Sequence, residues 1–323
     1  MKNTQNDNLV LPVKVIVVGS INCDLTTYLT DFPLKNQTVM AKKSTLSIGG
    51  KGVNQAIAAA KDGANVSFIG CIGDDLFASD ALNYLRSHQI NTDNIRSIEN
   101  ESTGTASILV TDQRENIIAV APGANSQLTI EDVYKAEALI SQADVVIVQL
   151  EIPADVVKAT LELSRKYHVL SVLNPAPAAD YAKSLYSLAD IVTPNETEAA
   201  ELTGIDVKGN DGVVEAANIM LSEGVKQVVI TLGEKGSYIA SNNTLQFIPP
   251  FIVEALDPTG AGDVFNGVLA TAIARKLSFT EAVLRASAAA ALSVIKPLAQ
   301  DAAPDHQQIN QFLQTTSTAT THF

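Results

Sequence analysis

The 323-residue chain has no tryptophan, two cysteines, four histidines, and 22 Lys and Arg against 35 Asp and Glu. Each scarcity excludes a class of function. A formal charge of -13 and a pI near 4.7 leave no basic footprint for a phosphate backbone, so nucleic acid is not an expected partner. Cys23 and Cys71 form no C-x-x-C pair and read as small buried hydrophobes. His88, His168, His306 and His322 lack zinc-ligand spacing. The run VIVVG is strand length, far short of the ~20 residues a membrane span needs. The opening MKNTQNDNLVLPVK carries no signal-peptide core. The expectation is therefore a cytoplasmic protein with no membrane partner.

Hydrophobic residues make up 46% of the chain and charged residues 18%, which is a folded composition. Short β-branched runs alternate with Ala/Leu-rich helical patterns. The runs VKVIVVG, NVSFIG, DVVIVQL, HVLSVLN, DIVTPN and QVVITLG read as buried strands. Helical patterns cover residues 50–62, 155–167 and 212–223. This rhythm predicts an α/β protein, a mostly parallel sheet between two helical layers. Ligands of such sheets bind beyond the carboxyl ends of the strands. Residues 25–48 and 103–121 alternate apolar and polar side chains instead. They predict hairpins of a small inserted β-sheet lid, the alternative being an ordinary sheet edge. One domain is expected over residues 12–313, with disordered tails at 1–11 and 314–323.

The chemistry-bearing stretches lie at predicted strand ends. No Walker or dinucleotide fingerprint is present: GGKGVNQ has the wrong spacing for the first, and no G-x-G-x-x-G opens the first helix. TGAGD has a better physical reading. Gly260, Ala261 and Gly262 converge backbone N–H groups into an anion nest at a helix start. Asp263 follows, placed to accept a proton from an alcohol. A carboxylate with an ordinary pKa of ~3.9 suffices if the hydroxyl loses its proton late in a loose phosphoryl-transfer transition state. The bland alternative is that Asp263 only supports the helix start. PNETEAAELTG offers Asn195 and Glu198 either as a capping box or as groups near phosphate and hydrated Mg²⁺. TLGEKG is either a hairpin turn or a place where a nucleotide lies. GSINCD, SIGGKGVNQA and QLEIP add Asn22, Asp24, Gly50, Lys51, Asn54 and Glu151, a polar set suited to a polyol.

Together these residues resemble the ribokinase-like (pfkB) carbohydrate kinase family. GGKGVNQAIAAAKDGANVSFIGCIGDD is similar to its N-terminal signature and DPTGAGDVFNG to its C-terminal one, and the resemblance runs from about residue 13 to 312. It implies a ribokinase-like three-layer α/β/α domain whose small β-sheet lid forms a homodimer contact. It implies Asp263 as catalytic base, with Gly260, Ala261 and Gly262 as anion hole. Asn22, Asp24, Gly50, Lys51, Asn54 and Glu151 match sugar-binding positions. Asn195, Thr231, Gly233, Gly236, Gly262 and Ser287 match nucleotide-binding positions, and Glu198 the acidic position associated with Mg²⁺. A monovalent-cation site, for K⁺, is implied at Asp257, Thr259, Ser293, Lys296, Leu298 and Ala302. There the chain departs from the family: Pro258 replaces a threonine, Leu298 a glycine and Ala302 a serine, which puts that site in doubt.

The expected activity is ATP-dependent phosphorylation of D-ribose at O5. Two alternatives stay open. One keeps the chemistry and changes the acceptor to 2-deoxyribose or another furanose or nucleoside. The other is a non-catalytic sugar sensor on a kinase fold.

Overall fold

The computed structural model describes residues 12–113, 115–242, 244–296 and 302–319. The expected N-terminal tail and Leu298 lie outside them.

The first half of the chain runs β1 (Lys14–Val18), β2 (Asn22–Tyr28), β3 (Lys43–Gly49), α1 (Lys51–Lys61), β4 (Asn65–Ile72), α2 (Leu76–Ser87), β5 (Asn91–Ser97), β6 (Gly104–Val110), β7 (Asn116–Ala121), α3 (Ile130–Lys135) and α4 (Glu137–Ile140). It continues with β8 (Val145–Val148), α5 (Ala154–Lys166), β9 (Leu170–Leu173), β10 (Ile191–Val192), α6 (Glu196–Thr203), α7 (Gly209–Ser222), β11 (Gln227–Thr231), β12 (Ser237–Ser241), β13 (Thr244–Ile248), α8 (Ala261–Ala274), α9 (Phe279–Val294) and α10 (His306–Ala319). The last helix makes residues 314–319 helical, where the sequence suggests a tail. TTSTA has no apolar period of its own, but it continues a helix anchored by Ile309 in the core and by Phe312 against Phe251.

Nine strands form the large sheet, in the order β13-β12-β11-β10-β9-β8-β1-β4-β5. From β11 to β5 every pairing is parallel; β12 and β13 extend it antiparallel. Parallel strands covered on both faces need apolar side chains in both directions. In β1, Val15 and Val17 enter the core beneath α1, α2, α8, α9 and α10. Ile16 and Val18 enter the opposite core, beneath α3, α5, α6 and α7. Each such fully buried side chain contributes about 1.5–3 kcal/mol. The chain winds from β1 to β4 and β5 on one side, then restarts at β8 on the other. The order therefore reverses between β1 and β8, where a crevice opens at the carboxyl ends.

The small sheet has the order β3-β2-β6-β7. Two antiparallel hairpins join through a parallel β2–β6 pairing. It begins at Asn22, three residues before the expected boundary, because polar Asn22 and Asp24 alternate in step with the strand. Register puts Asn22, Asp24, Thr26, Ser47, Ala106, Ile108, Ile118 and Val120 on one face. Leu25, Leu46, Leu109 and Ile117 lie on the other.

Candidate active site

Asp263 stands in the first turn of α8 and is 8% exposed. Its Oδ2 accepts from Asn54 Nδ2 and its Oδ1 from Gln55 Nε2, both at 3.0 Å. Asn54 and Gln55 lie in the first turns of α1, so two helix starts meet at this carboxylate. Gly260, just before the helix, caps α8 with φ 76° and ψ 0°, a left-handed conformation that glycine adopts without strain, and its cap has no side-chain hydrogen bond. Ala261 N–H is committed to Pro258 O at 3.2 Å, and the first intrahelical bond runs from Val264 N–H to Gly260 O. Among the described residues the N–H groups of Gly262 and Asp263 therefore remain as open donors of this turn. A Cβ built on Gly262 would meet nothing within 4 Å, so the space in front of them is open. Of the expected nest, Ala261 is the member whose amide is turned inward.

Around this turn the crevice gathers further carboxylates. Glu151, just beyond β8, accepts from Ser20 Oγ at 2.5 Å and from Lys51 N–H at 3.2 Å. It caps α1 from outside, because Gly50 has no side chain to do so. Asp24 lies over Gly49; a Cβ there would sit 2.1 Å from Asp24 Oδ2. Burial, reinforced by the charges of Glu151 and Asp263, pushes the Asp24 carboxyl up to about 7. Its Oδ1 is buried without a partner among the described residues. Burial works against the charge on Lys51, but Asp263, Glu151 and Glu198 outweigh it and hold the ammonium above its usual range. The Lys51 ammonium makes no ion pair within 4.0 Å among the described residues. Asn22 is buried, and its Oδ1 accepts from Asn125 Nδ2 at 2.8 Å, leaving its NH₂ as the group it can offer. A cavity of about 320 Å³ adjoins, lined by Val120, Pro122, Ser126, Leu150, Glu151 and Ile152 among others.

The capping reading of Asn195 and Glu198 is realised: Asn195 Oδ1 accepts from Glu198 N–H at 2.8 Å, and Glu198 Oε2 from Asn195 N–H at 2.9 Å. The same geometry leaves Glu198 half-buried at the crevice, where burial raises its carboxyl and the charges of Lys51 and Asp263 reach it. Thr231 ends β11 and bridges to Asn195. Gly233 and Gly236 belong to the tight turn between β11 and β12. The turn reading of TLGEKG is realised, and the turn stands at the carboxyl end of a parallel strand. Ser287 is half-buried on α9, on a different element from this group.

Asp257 accepts from Thr259 N–H at 2.9 Å, and the 256–257 backbone donates to Val294 O. This brings Asp257 beside the end of α9, which carries Ser293 and is followed by Lys296. Ala302 is buried. The carbonyls of Ser293 and Val294 already accept N–H groups. Among the described residues no three His, Cys, Asp or Glu side chains cluster as a metal site, and no helix is long and apolar enough to cross a membrane.

Sequence reasoning missed Ser20, Gln55, Asn125, Gln149, Asn174 and Asn266, all buried polar residues around this turn. The available signal was an amide interrupting an apolar stretch, as in VNQAIAAA and VFNGVLA.

A family model described as pfkB family carbohydrate kinase matches residues 13–306. Over 298 residues the chain is 42% identical to the ribokinase of Haemophilus influenzae, covering 92% of this chain and 97% of that one. It is 34% identical over 300 residues to the deoxyribokinase of Salmonella typhi, covering 93% and 98%. The solved Arabidopsis thaliana ribokinase complexed with ribose and ATP superposes with a TM-score of 0.86 at 29% identity, covering 94% of this chain and 99% of that one. The architecture is thus the ribokinase-like α/β fold.

Proposed function

The chain belongs to the pfkB family of carbohydrate kinases, and on that premise we propose that it transfers the γ-phosphoryl group of ATP to the 5-hydroxyl of D-ribose, giving D-ribose 5-phosphate and ADP. The observation that carries the reading is the α8 turn, where one carboxylate and the open N–H groups of Gly262 and Asp263 share a single crevice.

In this reading ribose lies under the small sheet, held by Asn22, Asp24, the Gly50 backbone, Lys51, Asn54 and Glu151. Asp263 orients the 5-hydroxyl and takes its proton as the new O–P bond forms and the bond to the ADP oxygen breaks. A late proton transfer needs only a well-placed weak base. The amides of the 260–263 turn face the negative charge on the migrating phosphoryl group. ATP runs from that turn toward Asn195, Thr231, Gly233, Gly236 and Ser287. Mg²⁺ keeps most of its ligands as water and phosphate oxygen, so one carboxylate facing the crevice fits it, and Glu198 is that group. When bound, it neutralises phosphate charge. For K⁺ the carbonyls of Ser293 and Val294 already accept N–H groups and Leu298 lies outside the described residues, so no step is assigned to that ion.

The small sheet covers the sugar, excluding water from the transfer. Its outer face exposes Leu25, Leu46 (56% exposed) and Ile117. Such a patch suits pairing with a second copy as a homodimer. The cytoplasm, where ATP is available and buried Cys23 and Cys71 stay reduced, is the compartment this reading assigns.

The resemblance to deoxyribokinase supports a second acceptor, 2-deoxyribose. Coupled ADP release, measured with ribose, 2-deoxyribose, fructose and nucleosides, decides between them. Ribose should give the highest kcat/KM, with product phosphorus on O5 by NMR. Sugar binding without turnover of any acceptor would instead make the protein a sensor.

A further inference from the structure

Gln55 is fully buried on α1, and its Nε2 donates to both Asp263 Oδ1 and Asn174 Oδ1, each at 3.0 Å. Its Oε1 accepts from Gln149 Nε2 at 2.6 Å. An ionised carboxylate only accepts hydrogen bonds. Asp263 therefore dictates that Gln55 turns its NH₂ toward the crevice and its oxygen toward Gln149. Gln149 must in turn present its own NH₂, which leaves Gln149 Oε1 buried without a partner among the described residues. That orphaned acceptor costs the fold stability, because its lost hydration is not replaced. It lies where a Cβ on Gly19 would approach to 2.1 Å, so the glycine makes room for it. A buried acceptor left unmade is the mark of a network whose polarity is set elsewhere.

The network continues behind the turn. Asn174 Nδ2 donates to Thr193 O, Thr193 Oγ to Asn266 Oδ1, and Asn266 Nδ2 to Gly262 O. Gly262 C=O and Asp263 N–H belong to one rigid peptide plane. Holding that oxygen therefore aims the Asp263 N–H at the space in front of the turn. One strip of buried amides thus fixes both the carboxylate and its neighbouring donor.

We propose that Gln55 is a positioning residue for phosphoryl transfer, holding the Asp263 carboxylate toward the cleft through a one-way amide relay that Gln149 completes. The proposal rests on the kinase reading above. Gln55 touches neither sugar nor nucleotide in that reading; it acts through Asp263. The charged groups that act around Asp263 are Asp24 on β2, Lys51 on α1 and Glu198 on α6, with Glu151 beyond β8 acting on Asp24 and Lys51. All of them stay in place when Gln55 alone changes, so the difference between wild type and variant isolates the amide.

The test is Gln55→Met, which keeps the length of the side chain and removes both its donor and its acceptor. At the optimum kcat should fall roughly 10²-fold, as for a misaligned reacting group. Ribose KM should change by less than about threefold, because no sugar contact is lost. A folded Gln55→Met protein with wild-type kcat overturns the proposal, and so does one whose ribose KM rises in step with the fall in kcat, since general packing damage at the site weakens binding as well as turnover. Gln149→Met decides the matter if Gln55→Met does not fold. It removes the donor to Gln55 Oε1 together with the orphaned acceptor, so kcat should fall with ribose KM again within about threefold; an unchanged kcat overturns the relay. A wild-type protein that phosphorylates no sugar overturns the kinase reading itself, a result distinct from an active enzyme whose variants keep full kcat.

Discussion

Ser20 donates its hydroxyl to the Glu151 carboxylate at 2.5 Å, across the β1–β8 crevice where the strand order reverses. Ser20 follows one strand and Glu151 the other, so a single hydrogen bond spans the floor of the proposed sugar site. The second Glu151 contact, to Lys51 N–H, fastens the start of α1 to the same floor.

Glu151→Gln keeps this shape and removes the charge. Hydrogen bonds to charged groups contribute about 1.5–3 kcal/mol, or roughly 10–150-fold. Ribose KM should rise by about 10-fold or more while kcat stays within a few fold, measured by steady-state kinetics. An unchanged KM would mean that Glu151 serves only as a remote helix cap.

Removing the carboxylate in Asp263→Ala should lower kcat by about 10²–10⁴-fold, the usual contribution of a positioned base. Ribose binding by calorimetry should persist. Turnover near the wild-type rate would remove Asp263 from the mechanism.

Gly262→Val separates fold from chemistry. The new side chain enters open space, so the melting temperature should hold. It would nonetheless stand where the phosphoryl group passes. A blocked oxyanion-type donor costs about 10²–10³-fold in kcat. A large drop in stability with normal kcat would show that the open space serves no ligand.

Asp24 supplies the pH dependence. Its carboxyl is raised to about 7, from an ordinary ~3.9 in the unfolded chain. The folded protein therefore keeps a proton that the unfolded chain has lost between these values. The stability this gives is present at low pH and is lost as pH rises through about 7. Sugar hydroxyls that donate to Asp24 favour its ionised form, so ribose binding should tighten between pH 6 and pH 8 and release a proton. Calorimetry in buffers of different ionisation heat measures that proton. Asp24→Asn should abolish the release, and a release unaltered in this variant refutes the assignment.

Asp62 carries the stability of the opposite end. It is fully buried at the end of α1, with Arg275 at 2.9 Å and Arg285 as ionic partners and His306 Nδ1 hydrogen-bonded at 3.0 Å. Arg275 caps the end of α8, Arg285 lies within α9 and His306 opens α10, so one carboxylate ties four helices. Asp62→Ala leaves Arg285 buried without its partner, and breaking a buried pair costs about 3–5 kcal/mol. Urea unfolding should register that loss; a change below about 1 kcal/mol would place the hub among weak surface pairs.

Much of this molecule was legible from local pattern. Continuous apolar runs such as VKVIVVG announced strands covered on both faces, and the Ala-rich stretch after GGKG announced α1, because periodicity and burial are properties of neighbouring residues. Asn195 with Glu198 read as a capping box for the same reason: the partners are three residues apart. TGAGD read as a glycine-led helix start bearing a carboxylate. The partners of that carboxylate were not legible. Asn54 and Gln55 reach Asp263 from some 200 positions away, and Asp62 meets Arg285 and His306 across a comparable span. The raised Asp24 carboxyl depends on burial and on Glu151 and Asp263, none of which its own strand reveals. Sequence alone settled which apolar runs become the buried strands and which short motifs bear chemistry, since those follow from spacing along the chain. Tertiary structure alone decided which amides face which carboxylates and which donors stay open, because hydrogen bonds and charge interactions depend on distances that only folding brings within reach.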